Sequence, residues 1–362
     1  AKAAEHGILF KGGEYLEIAS KVQTIVFDKT GTLTEGKPSV TDIYDISESK
    51  IGEKELLRLA AIAESGSEHP LGQAIVRKAK EDNVIPSPEL SESIAGYGII
   101  AKYQNHVLLV GTRKLMDDNK ISIPENVESK LSEFENMGKT AVLVSIDSNL
   151  SGILALADTL KNRLNQSVSQ LKNTAKTAVG SLKSNGKEVI MLTGDNERTA
   201  NHIAAELGIK NVMSQVLPQQ KEKVIAKLMS EKKIVAMVGD GINDAPALAR
   251  ADLGIAIGSG TDVAKETGGI ILIKGDVRDV SIALELGRKT VSKIKQNLFW
   301  AFAYNTGLIP IAGGVLVPLL GVGIFGWLPM LAALAMAMSS VTVVGNSILL
   351  GRYRPKFSHA PV

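Results

Sequence analysis

Between Lys295 and Arg352 the chain carries no Asp, Glu, Lys, Arg or His, while everything before Lys295 is well supplied with charge. So long an uncharged stretch has no place in a small water-soluble core, and about 20 apolar residues suffice to cross the hydrocarbon of a bilayer. Two such runs fit, near residues 297–317 and 327–350, with a short Gly- and Pro-rich turn between them. Lys293 and Lys295 stand before the first, and Arg352, Arg354 and Lys356 follow the second. Cytoplasmic flanks collect Lys and Arg, so both ends are expected in the cytoplasm, and the preceding body with them. This predicts a basic stalk helix over 281–296, a two-helix transmembrane hairpin over 297–351 embedded in the lipid bilayer, and a cytoplasmic tail over 352–362.

The body reads as α/β. Val22-Gln23-Thr24-Ile25-Val26-Phe27 is a short, largely apolar run rich in β-branched residues that ends at Asp28, the pattern of a strand buried on both faces of a parallel sheet. The shape recurs before Thr193-Gly194-Asp195, before Gly239-Asp240-Gly241 and before Gly258. Amphipathic stretches over 198–207 and 220–229 separate these runs and predict a βαβ succession with right-handed crossovers. Open sheets of this kind bind ligands at the carboxyl ends of their strands, so Asp28, Thr193 and Asp240 are expected to meet there. Residues 37–150 are far too long for a loop and read as an inserted α+β domain. The sheet domain then comprises 21–36 and 151–280. The chain opens Ala1-Lys2-Ala3-Ala4, with no initiator Met and no apolar signal core, so residues 1–20 read as a stalk or linker from a preceding membrane helix.

Composition narrows the partners. A net charge of +3 is small and dispersed, and no basic stretch interleaves with aromatics, so nucleic acid is not expected. A chain without Cys forms no disulfide, iron–sulfur cluster or thiolate metal site.

Asp28-Lys29-Thr30-Gly31-Thr32-Leu33-Thr34 sets a carboxylate at a strand end, followed by a Gly that lets the backbone curl round a phosphate. Such a carboxylate can attack phosphorus and form an acyl phosphate. The bland alternative, an Asp capping a turn, would not call for the whole string. Gly239-Asp240-Gly241-Ile242-Asn243-Asp244 supplies two carboxylates and an amide, hard oxygen donors of the kind Mg²⁺ takes together with phosphate. Thr193-Gly194-Asp195 offers a hydroxyl and backbone N–H groups, and Lys221 an ammonium; each alone is commonplace in turns and on helices. The same holds for Glu64, for Ser67-Glu68-His69-Pro70 and for Gly96-Tyr97-Gly98, since a lone His near a helix start is more often a surface or core residue than a ligand.

Together these motifs resemble those of P-type ATPases, a branch of the haloacid-dehalogenase-like phosphotransferases, over essentially the whole chain. The resemblance implies a haloacid-dehalogenase-like (Rossmann-like) phosphorylation domain with an inserted α+β nucleotide-binding domain, and the cofactors ATP and Mg²⁺. It implies that Asp28, followed by Lys29, is phosphorylated by ATP and that Asp28, Asp240 and the Thr30 carbonyl hold Mg²⁺. Asn243 and Asp244 would support phosphate and metal, while Thr193, Gly194, Asp195 and Lys221 would stabilise the transferring phosphoryl. Asp158 and Lys161 match an element beside the nucleotide. Ser-Glu-His-Pro is a hallmark of the heavy-metal branch, in which Glu64, His69, Gly96, Gly98 and Gly111 would line the adenine side of ATP. Thr112 stands where that branch commonly has Asn; its shorter reach points to weaker nucleotide binding. The polar segment 162–173 lengthens the family pattern and reads as an exposed extension.

Polar groups in membrane spans are functional candidates by default, or simply hold helices together. Tyr304 and Asn305 in the first run, and Met336 and Ser340 on one face of the second, resemble the copper(I) subgroup of heavy-metal pumps. A thioether is a soft ligand suited to Cu(I), and the lack of charge in both runs counts against the zinc/cadmium subgroup. The reading is ATP-driven export of a soft metal ion, Cu(I) first, through an aspartyl phosphate, with the actuator domain and a Cys-Pro-Cys helix preceding residue 1. Two rivals stay open. A nucleotide-binding regulator derived from a pump would bind ATP without forming a phosphoenzyme. A membrane-tethered phosphatase of the same superfamily would carry an acid two residues after the nucleophile, where this chain has Thr30.

Overall fold

The computed structural model describes residues 2–34, 36–46, 51–81, 84–158, 174–241, 244–258 and 266–353. Lys161, Asn243, the segment 162–173, Arg354 and Lys356 lie outside them.

The first of two sheets has seven strands, in the order β1 (Ile8–Phe10), β13 (Ile270–Leu272), β12 (Leu253–Ile257), β11 (Val235–Gly239), β2 (Thr24–Asp28), β9 (Glu188–Leu192) and β10 (Asn211–Met213). All pairs are parallel except β1 with β13. Every residue of β2, β11 and β12 is buried, because helices cover both faces. On one face lie α2 (Gly13–Lys21), α7 (Thr174–Ser184), α8 (Glu197–Leu207) and the start of α11 (Arg278–Ala312). On the other lie α9 (Pro218–Ser230) and α10 (Ala245–Arg250). Residues 1–20, expected as a stalk or linker, instead contribute β1 to the sheet edge and α2 to its cover. Three residues are too few for β1 to register as a periodic run.

The second sheet is antiparallel, in the order β3 (Ser39–Asp45), β8 (Asn149–Ala157), β7 (Thr140–Ile146), β6 (His106–Gly111), β5 (Gly98–Tyr103) and β4 (Leu90–Ile94). One face packs on α3 (Glu53–Ala63) and α4 (Pro70–Ala79), the other on α5 (Arg113–Asp118) and α6 (Glu125–Asn136). The expected boundary at residue 150 falls inside β8, which stays with this sheet to Ala157 because it pairs with both β3 and β7. The Asp158 carboxylate closes the crossing: it accepts from the backbone N–H groups of Gly36 and Lys37, each at 3.2 Å, and so ties together the two chain segments that join the sheets.

After β13, α11 runs unbroken from Arg278 to Ala312, turns at Gly313 and Gly314, and the chain returns through α12 (Val317–Leu320) into α13 (Leu328–Gly351). The first apolar run is therefore shorter as a helix than its sequence suggested. Among the described residues α13 is the one helix long and apolar enough by itself to cross a membrane; α11 carries charge through Lys295. The two helices are joined by polar contacts, Lys293 Nζ to Asn346 Oδ1 at 2.6 Å, Asn346 Nδ2 to Asn297 Oδ1 at 2.7 Å and Asn297 Nδ2 to Ser347 Oγ at 2.9 Å.

The base of α11 lies on α2 at Gly287, where a Cβ would stand 2.9 Å from Ala19 Cβ and 3.0 Å from the Leu16 carbonyl. Gly287→Val should therefore prise the stalk off the sheet domain, costing about 1–3 kcal/mol in urea unfolding. An unchanged midpoint would show that the contact is not needed.

Candidate active site

The register of β2 with β9, which pairs Asp28 with Leu192, and of β2 with β11 brings three strand ends together. Asp28 closes β2 and is buried, Thr193 follows β9, and Asp240 follows β11. Behind Asp28 the backbone turns through Gly31 at φ +73°, and the Thr34 hydroxyl pins the turn by accepting from Gly31 N at 3.3 Å and donating to the Lys29 carbonyl at 3.2 Å. Gly31 is required twice, because a Cβ there would also stand 2.9 Å from Asp240 Oδ2.

Two buried ion pairs organise the centre. Lys221, from the first turns of α9, places Nζ 2.6 Å from Asp28 Oδ1 and 2.7 Å from Asp244 Oδ1. Lys29 Nζ lies 2.6 Å from Asp195 Oδ2, and Thr193 Oγ1 donates to the same oxygen at 2.8 Å. Burial first, then the Asp244 carboxylate and Asp240, push the pKa of Asp28 up to about 7 against the pull of Lys221. Burial likewise raises Asp244. Burial alone would lower Lys221, but Asp28 and Asp244 outweigh it and hold the ammonium above its ordinary range. Burial works against the charge of Asp195 as well, yet Lys29, Thr193 and Thr140 keep its pKa low. Asp244 Oδ2 is buried and has no partner among the described residues, in space that exists because residue 239 is Gly.

Among the described residues no three His, Cys, Asp or Glu side chains form a metal cage. The donors that are present, Asp28, Asp240 and the Thr30 carbonyl, suit a hard cation completed by phosphate oxygens, as Mg²⁺ takes them, and the orphaned Asp244 oxygen leaves capacity for a further hydrogen-bonded ligand. Gly194 has no close neighbour a Cβ would strike and leaves the cleft open beside Thr193.

In the second sheet domain, Glu64 ends α3 and His69 caps α4, its Nδ1 accepting from Leu71 N at 3.2 Å, so a neutral ring carries its proton on Nε2. Burial raises the pKa of Glu64 against its hydrogen bond from Ser67. The His69 ring reaches solvent, yet the protein crowded around it, and Lys29 beyond, hold its pKa low despite Asp195. Gly72 makes room for Glu64, since a Cβ would stand 2.3 Å from its Oε2. Gly98 and Gly111 are paired across β5 and β6, and a Cβ on either would stand 2.2 Å from a carbonyl oxygen. Gly96 turns at φ +81° directly beside Leu217, at the foot of the helix that bears Lys221. Thr112 opens α5 without a side-chain cap, its N–H donating to the Tyr97 carbonyl at 2.8 Å. Of the expected adenine-side residues, His69 lies within electrostatic reach of Lys29 and Asp195 and Gly96 meets Leu217, whereas Asp158 sits at the crossing between the sheets.

The hairpin candidates do not converge. Tyr304 turns towards α13, with its hydroxyl 3.4 Å from Thr342 Oγ1, while Asn305 bonds back to the Ala301 carbonyl at 2.9 Å. Met336 and Ser340 are exposed on α13.

Sequence reasoning missed the bonds between the two sheet domains. Thr140 Oγ1 donates to Asp195 Oδ1 at 3.0 Å, Thr199 Oγ1 to the Lys139 carbonyl at 2.9 Å, and Arg198 to Ser132 Oγ at 2.6 Å and Glu135 Oε2 at 3.1 Å. Glu135 is 1% exposed and also bound by Arg113. No local motif marks residues that lie sixty positions apart in sequence.

Two outcomes follow. Asp28 has a folded-state pKa above its unfolded value of about 4, so the folded state retains a proton that the unfolded chain releases. Its contribution is neutral at low pH and becomes a growing penalty up to about pH 7. Asp28→Asn, which never ionises, should gain thermal stability over the wild type as pH rises through that window, about 2–4 °C for each kcal/mol relieved, and no further above it. A pH-independent difference in Tm would contradict the upward shift. Arg198→Ala removes the bonds of α8 to Ser132 and Glu135 and should speed amide exchange in α6 and α8 about five- to tenfold.

The family model described as haloacid dehalogenase-like hydrolase matches residues 22–252. A probable copper-exporting P-type ATPase of Archaeoglobus fulgidus is 52% identical over 98% of this chain, and a copper-exporting P-type ATPase of Bacillus subtilis 48% identical over the same share. The chain spans 41% of the length of each of these curated relatives. A zinc-transporting PIB-type ATPase solved in its E2.Pi state aligns with a TM-score of 0.64 at 40% identity, covering 96% of this chain and 53% of that one. The catalytic CPx-ATPase domain CopB-B aligns with a TM-score of 0.56 at 30% identity, covering 79% of this chain and 97% of the domain. The chain belongs to the haloacid dehalogenase-like hydrolases, in the heavy-metal branch of the P-type ATPases.

Proposed function

We propose that this chain is the ATP-binding and phosphorylation part of a copper(I)-exporting pump, together with two of its membrane helices. The observation that carries the reading is the buried cluster in which Lys221 bridges Asp28 and Asp244 while Lys29 is held by Asp195. In this reading an Asp28 carboxylate oxygen attacks the γ-phosphorus of ATP, the bond from that phosphorus to the β,γ-bridging oxygen breaks, and ADP leaves with the electron pair. Lys221, Lys29 and the Thr193 hydroxyl would take up charge on the equatorial phosphoryl oxygens, already aimed and desolvated. Asp28, Asp240 and the Thr30 carbonyl would hold Mg²⁺, which when bound supplies neutralisation of phosphate charge. Glu64, His69 and the Gly96, Gly98 and Gly111 backbone would hold the adenine end, with Thr112, Asp158 and Lys161 beside the nucleotide, while Asn243 and Asp244 would support phosphate and metal.

Residues 21–36 and 158–280 would act as the phosphorylation domain and 37–157 as the nucleotide-binding domain. α11 and α13 would form two spans of a multi-pass membrane protein with its catalytic body in the cytoplasm. Copper is favoured by the relatives' described activity and by Met336 in an uncharged span. Tyr304, Asn305, Met336 and Ser340 would complete a cargo site only with helices from outside this chain, since three of the four present exposed side chains here. The zinc-transporting neighbour supports the fold but not the metal, because its identity to this chain is lower than that of the copper relatives.

Incubation with γ-labelled ATP and Mg²⁺ should give acid-stable, hydroxylamine-labile label on the wild type and none on Asp28→Asn. ATP binding without label, both here and in the whole pump supplied with Cu(I), would favour the regulator. Label on Asp28→Asn would sink the assignment of the nucleophile.

A further inference from the structure

We propose that the groove between the carboxyl end of α2 and the stalk part of α11 binds the headgroup of an anionic glycerophospholipid from the cytoplasmic leaflet. The proposal rests on the reading that α11 and α13 enter a bilayer. The groove encloses about 560 Å³ and lies well away from the phosphorylation centre. Its α11 wall is one helical stripe, Arg288, Ser292, Lys295 and Phe299, spaced by three or four residues and flanked by Trp300, and its other wall is Ser20 and Lys21 of α2. Chemistry changes along the stripe in the order a phospholipid needs. Cations and hydroxyls come first, and the aromatic pair follows where charge ends, with Phe299 and Trp300 in edge contact at 5.5 Å and 63% and 44% exposed. At about 1.5 Å per residue, Lys295 and Trp300 are separated by roughly the depth of a headgroup layer, and Trp is favoured at that level.

Among the described residues no carboxylate lies within ion-pair distance of Arg288 or Lys295. Glu17 is paired with Lys21 at 2.6 Å and bears on Lys295 only through space. Arg288 even bears on Lys187, whose ammonium is held low by burial and by that guanidinium. A diester phosphate with a second negative charge or hydroxyls nearby would neutralise this cluster, while its glycerol and first acyl carbons would lie on Phe299 and Trp300. A zwitterionic headgroup brings its own cation and gains less.

The chain has two tryptophans, one at each end of the hairpin, and this permits a decisive test. The chain is placed in phosphatidylcholine vesicles with a small fraction of chain-brominated phosphatidylglycerol or, separately, chain-brominated phosphatidylcholine. Trp300 fluorescence is read in Trp327→Phe, and Trp327 fluorescence in Trp300→Phe. Trp300 should be quenched preferentially by the brominated phosphatidylglycerol, about fivefold for each cation engaged, and Trp327 by both lipids alike. Arg288→Gln with Lys295→Gln should abolish the preference, while Lys289→Gln, whose ammonium lies over the Tyr353 ring outside the groove, should preserve it. Equal quenching of Trp300 by both lipids, with Trp327 quenched as well, overturns the site and leaves the membrane reading standing. No quenching of either tryptophan overturns the membrane reading and the site with it. Loss of the preference on adding inorganic phosphate overturns the lipid source in favour of free phosphate. In the whole pump, native mass spectrometry should show one retained phosphatidylglycerol fewer in the double variant, and an unchanged count would mean that protein fills the groove.

Discussion

Lys221 Nζ stands within 2.7 Å of both Asp28 and Asp244, deep at the ends of parallel strands, and the rest of the body is arranged to tolerate that concentration of charge. Burying two carboxylates and one ammonium is expensive unless the geometry is good and the remaining oxygens are satisfied. Here one ammonium serves two carboxylates, so the cluster keeps a net negative charge and Asp28 is pushed up towards neutral pH. Such a centre invites a cation, whose charge would relieve it. The strain is held in place by uniformly buried strands, whose apolar packing on both faces fixes the strand ends to which the charges are attached.

The second ion pair, Lys29 with Asp195, links this centre to the inserted domain. Asp195 takes one hydrogen bond from Thr193 beside it and another from Thr140 at the start of β7. The same carboxylate thus fixes the lysine next to Asp28 and bonds to the neighbouring domain. Arg198, Glu135 and Arg113 brace the contact further out, and Asp158 restrains the two connecting segments. Closure and site geometry are therefore mechanically coupled, since moving one sheet domain away breaks a bond to a residue in the site of the other.

The stalk joins the sheet domain to the hairpin. α11 begins against the sheet core, is seated on α2 through the close approach at Gly287, and continues without a break into the uncharged region. One continuous helix therefore carries both the contact with the sheet domain and the polar contact of Asn297 with Asn346 on α13.

The residues themselves determined the strands that end at Asp28, Thr193 and Asp240, because short β-branched runs stopped by polar residues leave few alternatives. They also determined the inserted domain and the uncharged carboxyl region, which depend on pattern and composition over many residues. The Asp-Lys-Thr-Gly-Thr string and its companions marked which charged residues and which glycine stand at the strand ends, since those positions call for charge or for the lack of a Cβ. Sequence was silent on β1, too short to show a period, and it misplaced the end of the inserted domain, because pairing with two neighbours and not composition keeps β8 in its sheet. Only tertiary structure decided that Lys221 is shared between two aspartates, that Thr140 reaches Asp195, and that Gly96 meets Leu217. These contacts join residues distant along the chain, and their partners are set by how helices and sheets pack, which no local pattern encodes.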